Sequence, residues 1–338
     1  MALITLDKKA YEHNLSVIAR KAGGFDKVIC VLKDNAYGHG TELIAPLAKN
    51  LGVNFIALKD ETQAFFLQGF FKNILILSHH PNGKENEDFI YALNSKDDLA
   101  KLKSGTRIHL AIDTGMHRNG LFVDELEEIF DKAKRLNIYI EGLFTHFAGA
   151  DELDSSYFVQ REIFEIAKEK ASKLSSQRLI FHSHNSAALF RCEKLSENEM
   201  CRVGLAQFGY NEFEPKLQRV LKLYAHKLSA RTLKSGQSVG YGGAYTATKD
   251  IQIAVYDLGY ADGLFRFGGK GVLELCEHKK DGKKACLLGK MSMDSFSCED
   301  LGDTICVFED AREWAKFFNT IEYEILVKLS PFIPRVLV

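Results

Sequence analysis

From Val28 to Val203, short apolar runs of strand length alternate with longer stretches of helical spacing, and that rhythm leaves few folds open. Val28–Leu32, Phe55–Leu58, Ile74–Leu77, Phe89–Ala92, Arg107–Ile112, Tyr139–Phe144, Leu179–His182 and Met200–Val203 read as strands. Leu43–Leu51, Glu61–Leu67, Lys96–Leu102, Asp124–Leu136 and Ser156–Leu174 read as the helices between them. Strands joined by helices build a parallel sheet covered on both faces. About eight repeats favour closure into a (β/α)8 TIM-type barrel over an open doubly wound sheet.

The two ends of the chain differ from this pattern. Ile4–Leu6 reads as a short opening strand and Asp7 as the N-cap of a helix with the stripe Tyr11, Leu15, Ile18 and Ala22, ended by Gly23 and Gly24. Beyond about Gln218, short β-like runs replace the alternation: Leu221–Ala230, Ile251–Leu258, Gly271–Cys276, Ala285–Leu288 and Thr304–Phe308. Only Ala311–Phe318 looks helical there, and the lysine-rich stretch His278–Lys284 reads as a solvated hairpin. The expected class is therefore α/β, with a barrel domain over 1–217 and a C-terminal all-β domain over 218–338. The first strand, about residues 1–6, is available to pack with the β domain.

Composition narrows the function. A formal net charge of −1 gives no electrostatic reason to expect nucleic acid or an anionic membrane, and no apolar run reaches membrane-span length. The seven cysteines include no CxxC pair, so they read as reduced thiols, with neither a disulfide framework nor a metal centre expected. The opening residues lack a signal-peptide apolar region, and a cytoplasmic protein is expected.

In a barrel of this kind, chemistry collects where strands end. Lys33 follows the first barrel strand and leads into a turn with Asn35, Gly38 and Gly40. A lysine there is fixed at its backbone while its amine stays free to form a Schiff base with a carbonyl compound, although strand-end lysines are often simply solvated. Asp113 and Arg118 follow the Arg107–Ile112 strand, His146 follows Tyr139–Phe144, Asn185 and Ser186 follow Leu179–His182, and Arg202, Gly204 and Leu205 close the series. Singly, each has an ordinary explanation: His146 as a satisfied core histidine, Ser186 as a helix N-cap, Arg202 as half of an ion pair. His182 and His184 would point the same way from a strand, but no carboxylate follows at ligand spacing, which makes them structural.

The stretch VLKDNAYGHG resembles the signature of the alanine racemases, where the lysine carries pyridoxal 5'-phosphate (PLP) and the tyrosine holds its phosphate; here these are Lys33 and Tyr37. DTGMHRNG is similar to the family segment whose arginine, here Arg118, binds the substrate carboxylate. FTHFAGAD places His146 against the pyridine ring, and HNSAA places Ser186 on the phosphate. CRVGLAQFGY gives Arg202 as partner of the pyridine nitrogen, with backbone N–H groups of Gly204 and Leu205 on phosphate. VGYGGAYTA supplies a catalytic tyrosine, Tyr241; DLGYADG a substrate-entry tyrosine, Tyr260; GKMSMDS the site-lining Met293 and Asp294; and NTIEYE a phosphate-binding Tyr323.

The resemblance implies a PLP-dependent isomerase that interconverts L-alanine and D-alanine for peptidoglycan, with Lys33 and Tyr241 as bases on opposite faces of the substrate. It also implies a head-to-tail homodimer in which Tyr241, Tyr260 and Met293 come from the neighbouring subunit. A broader amino-acid racemase, acting for example on serine, is the near alternative, and a non-catalytic PLP-binding protein the more distant one. Some residues depart from the pattern. Asp34 stands where a small residue is usual, and Ala111 where the family often has a carbamylated lysine that pairs with the arginine of the motif. An anion, such as chloride or another carboxylate, is then expected beside Arg118.

Overall fold

The computed structural model describes residues 1–278 and 282–338. Contacts divide the chain into two compact units: Tyr11–Asp34 with Ile44–Gln218, and Met1–Ala10 with Asn35–Leu43 and Arg219–Val338. After the opening strand β1 (Leu3–Leu6), the first of these units holds β2 (Val28–Val31), β3 (Phe55–Leu58), β4 (Asn73–Ile76), β5 (Ile90–Leu93), β6 (Arg107–Ala111), β7 (Tyr139–Phe144), β8 (Ile180–His184) and β9 (Glu199–Val203). These eight close in sequence order into a parallel barrel, with Val28–Cys30 of β2 in register with Cys201–Val203 of β9. β2, β3 and β5 are buried along their whole length, because side chains fill the barrel inside and helices cover it outside.

The helix Ser156–Leu174 matches its expected span, whereas Lys96–Lys101 is a 3-10 helix. It carries Asp97 and Asp98 in its first turn, capped by Ser95, and only Leu99 is buried, so little apolar surface rewards a longer α-helix.

The second unit adds β10 (Leu221–Leu233), β11 (Ser238–Val239), β12 (Tyr245–Thr246), β13 (Ile251–Tyr256), β14 (Glu274–His278), β15 (Lys284–Cys286), β16 (Phe296–Glu299), β17 (Thr304–Phe308) and β18 (Arg335–Leu337). Its main sheet runs β16-β13-β10-β1-β18, with β17 also on β10. β1 is antiparallel to β10 and parallel to β18. Asp7 caps the first helix as expected, its Oδ1 accepting from the Ala10 N–H at 2.9 Å. One expectation falls partly outside the described residues and one changes. The lysine-rich hairpin is flanked by β14 and β15, and its residues 279–281 lie outside the described residues. A second helix, Glu322–Val327, follows Ala311–Phe318; it is one and a half turns long, too short to show a helical period in sequence.

Candidate functional site

In the barrel unit, Lys33, Arg118, His146, Ser186, Arg202, Gly204 and Leu205 all fall at or just beyond strand C-termini, on the rim where such barrels do chemistry. Lys33 is half-buried, and its amine makes no hydrogen bond or ion pair among the described residues. The four residues after it, Asp34, Asn35, Ala36 and Tyr37, have φ of 53°, 56°, 50° and 54°, a full left-handed turn without a glycine. Such a conformation costs roughly 1–2 kcal/mol per residue, so packing and hydrogen bonds must impose it. The His39 imidazole lies 3.1 and 3.0 Å from the carbonyls of Ala36 and Tyr37, and the Asn35 side chain accepts from the Thr41 N–H at 3.0 Å. Burial pushes His39 down to about 3, so its Nδ1 acts as the donor of a neutral ring.

Ser186 is not the N-cap of its helix. Asn185 fills that position, accepting from the Ala188 N–H at 2.9 Å, which leaves the Ser186 hydroxyl for other work. Its Oγ accepts the N–H of Gly204 at 3.2 Å and of Ala206 at 3.4 Å. Two accepted bonds use both lone pairs, so the hydroxyl proton is left as a donor, and no acceptor for it is recorded among the described residues. A buried hydroxyl donor beside converging backbone N–H groups at the start of the Leu205–Phe208 turn fits a phosphate.

Arg202 sits inside the barrel rather than in a surface ion pair. Its guanidinium donates to His182 Nδ1 at 2.9 Å, to the Thr145 carbonyl at 2.5 Å and to the His182 carbonyl, and lies 5.1 Å from the centre of the Phe144 ring. His182 Nε2 is 2.7 Å from His109 Nδ1. Because arginine can only donate, His182 must accept at Nδ1 and carry its proton on Nε2, which donates to His109 Nδ1 and leaves the His109 proton on Nε2. Burial first, and then the charges of Arg107 and Arg202, push His109 down to about 3; burial, Arg202 and His109 lower His182 well below its ordinary value. Both rings are neutral, and His109 Nε2 is buried without a partner among the described residues.

A second network joins two rim loops. Thr114 Oγ1 is 2.8 Å from Thr145 Oγ1, and the buried Gln160 donates to Thr114 at 3.2 Å while accepting from the Ala148 N–H at 2.9 Å. Asp113 accepts from the N–H groups of Gly115 and His117, shaping the loop that presents Arg118. Arg118 is exposed and makes no hydrogen bond or ion pair among the described residues, and Ala111, the last residue of β6, is buried. His146 is exposed at the mouth, not a core histidine. Crowding at the rim and then the charges of Arg202, Arg118 and Lys33 hold its imidazole well below the ordinary value.

The remaining candidates belong to the second unit. Tyr37 is buried and meets the half-exposed Tyr323 edge-on, ring centres 5.9 Å apart. Tyr260 opens a tight turn whose Gly259 N–H is held by Asp262 at 2.8 Å; a Cβ on Gly259 would collide with the Met293 carbonyl, so the glycine lets these two segments meet. The Ala261 N–H closes the contact on the Met293 carbonyl at 2.9 Å. Tyr241 lies in the short turn between β11 and β12, and its side chain, like those of Tyr260, Met293 and Asp294, is exposed.

Sequence reasoning passed over Gln160, His109 and His39. Each is a buried polar residue whose partners are remote or whose backbone is unusual, and neither property leaves a local signal.

Two family models cover almost the whole chain: the alanine racemase N-terminal domain matches residues 6–212 and the C-terminal domain residues 220–337. An alanine racemase from Campylobacter jejuni subsp. jejuni serotype O:6 is 60% identical over 338 residues, covering 100% of both chains. One from Campylobacter curvus is 52% identical, covering 99% of each. Among solved structures, the alanine racemase of Bacillus anthracis with bound L-Ala-P superposes with a TM-score of 0.88 at 26% identity, covering 100% of this chain and 95% of that one. On sequence and on fold alike, this chain belongs to the alanine racemase family.

Proposed function

We propose that the chain is a PLP-dependent racemase that interconverts L-alanine and D-alanine, a cytoplasmic isomerase providing D-alanine for peptidoglycan. The observation that carries the reading is the barrel rim, where the Ser186 hydroxyl accepts from the N–H groups of Gly204 and Ala206 and so keeps its own proton for a phosphate, and where the Lys33 amine makes no hydrogen bond or ion pair among the described residues. The reading takes 1–217 as the cofactor-binding domain and 218–338 as the β-rich domain.

When bound, PLP supplies the electron sink that makes the Cα proton of an amino acid removable. Lys33 would hold the cofactor, and its amine would take or return that proton on one face. Tyr241 does the same on the opposite face; a free tyrosine titrates near ~10, so it needs positive neighbours to work near neutrality. Arg202 holds the pyridine nitrogen as a donor that keeps its own proton, and the His182–His109 pair fixes its direction. Arg118 takes the substrate carboxylate, for which its planar fork is suited. His146 would lie against the ring, and Tyr37, Ser186, Tyr323 and the N–H groups of Gly204 and Leu205 would hold the phosphate. Tyr241, Tyr260, Met293 and Asp294 are offered by a second copy in a head-to-tail homodimer, a reading supported by their exposure.

Chiral analysis of product from L-alanine tests the reaction. The holoenzyme should form D-alanine, and Tyr241→Phe should lose roughly 10²–10⁴-fold in turnover while the cofactor absorbance persists. A cofactor band with no racemisation of alanine, serine or any other amino acid would refute the reading. Co-expression of Lys33→Ala with Tyr241→Phe, each inactive alone, should restore part of the activity if two chains share each site.

A further inference from the structure

We infer that Arg335 is a positioning residue for cofactor binding, a clamp that holds the strained turn bearing Tyr37 against the segment bearing Tyr323. The inference rests on the reading of those two tyrosines as phosphate ligands.

Arg335 is the first residue of β18, paired in parallel with Ile4 of β1, so its backbone is fixed in the main sheet. Its Nε donates to the Gly38 carbonyl at 2.8 Å, next to Tyr37. Its Nη1 donates to the carbonyls of Ser330 at 3.1 Å and Ile333 at 2.7 Å, and Nη2 reaches that of Leu329 at 3.4 Å. These carbonyls follow the helix Glu322–Val327 on which Tyr323 lies. Among the described residues, Arg335 has no carboxylate partner, and its recorded hydrogen bonds all go to backbone oxygens. One rigid five-donor fork thus joins two segments, and lysine, a point donor on a flexible stem, cannot reproduce that geometry.

The surroundings are built around this contact. A Cβ on Gly38, whose φ is +80°, would collide with the Leu326 carbonyl, so glycine allows the turn to lie directly on the helix. The Tyr37 and Tyr323 rings, one on each clamped segment, meet edge-on with their centres 5.9 Å apart. Loss of the clamp would leave four consecutive left-handed residues to the His39 and Asn35 hydrogen bonds, and any relaxation of the turn would displace Tyr37, its last residue.

The test compares PLP with pyridoxal, which lacks the phosphate, in titrations of the apoprotein. Arg335→Met keeps the apolar stem and removes every donor. It should weaken PLP by about 10–100-fold, the usual cost of losing a group behind a ligand, and pyridoxal far less, so that the preference for PLP falls. Arg335→Lys should fall between, which keeps the test readable should Arg335→Met fold poorly. Hydrogen exchange at the His39 and Gly40 amides, bonded to Ala36 and Asn35, should accelerate in both. Equal weakening of PLP and pyridoxal with a lowered melting temperature would reduce Arg335 to general support and overturn the clamp. If Tyr37→Phe and Tyr323→Phe lower the PLP preference while the Arg335 variants do not, the clamp fails and the phosphate reading stands. If the tyrosine variants leave the preference intact, the phosphate reading fails and the clamp with it.

Discussion

At the barrel rim Ser186 and Arg202 are buried and held by named partners, whereas in the second unit Tyr241 and Met293 stand 61% and 53% exposed on short turns. The difference is one of preorganisation. The barrel closes on itself, so residues from β7, β8 and β9 meet whatever else the chain does, and burial gives most of their polar atoms partners within the protein. The turns of the second unit fix backbone position through bonds such as Ala261 to Met293 but leave the side chains to solvent. Groups of the first kind are set by folding. Folding of this chain alone leaves those of the second kind in solvent, which agrees with the proposed shared sites.

Substitutions can break this contrast, the largest effect first. His182→Leu strips Arg202 of an imidazole acceptor and His109 of its donor in the barrel interior; we expect about 3 kcal/mol of lost stability by denaturant titration. A loss below ~1 kcal/mol would mean the interior network is not what holds Arg202.

Glu85 gives a pH-dependent version. Burial raises its pKa, but hydrogen bonds from His79 and from the backbone N–H groups of Lys103 and Asn82 outweigh that and bring it down to about 2. A carboxylate depressed in the folded state contributes stability above its unfolded value near ~4.5 that disappears as pH falls toward its folded value. Glu85→Gln should therefore cost about 2 kcal/mol at pH 7 and much less at pH 2, and parallel unfolding curves at both pH values would contradict the assignment.

Gln160→Leu orphans the Ala148 N–H and takes one donor from the Thr114 hydroxyl, which keeps its bond to Thr145, for an expected loss of about 1–2 kcal/mol together with slower turnover, read by melting temperature and assay. The smallest effect on stability belongs to Tyr241→Phe, expected within ~0.5 kcal/mol of wild type because the side chain is solvated, even as activity collapses. Were it to cost as much as Gln160→Leu, the distinction between the two regions would fall.

Much of this was legible beforehand. All eight barrel strands lie where runs of strand length predict them, since strands covered on both faces are mostly apolar. Lys33, Arg118, His146, Ser186 and Arg202 could be placed on one rim because strand ends in a parallel barrel share a face. The helix Glu322–Val327 was not legible, nor was the N-cap assignment, in which Asn185 rather than Ser186 takes the helix N–H. Adjacent residues with interchangeable capping propensities are separated only by what each side chain meets in three dimensions.

The sequence by itself determined the alternation that closes the barrel, the β-rich character of the second unit and the motif residues that mark the family, because each depends on local period or local composition. Tertiary structure alone decided that His109 would meet His182 across 73 positions, that residues 34–37 would turn left-handed, and that Arg335 would reach back 297 positions to Gly38. Local propensity opposes a left-handed turn without glycine at every residue, and no pattern within a segment records a partner on a distant one. Such features exist because the closed barrel and the completed sheet hold them in place, which is a property of the whole fold.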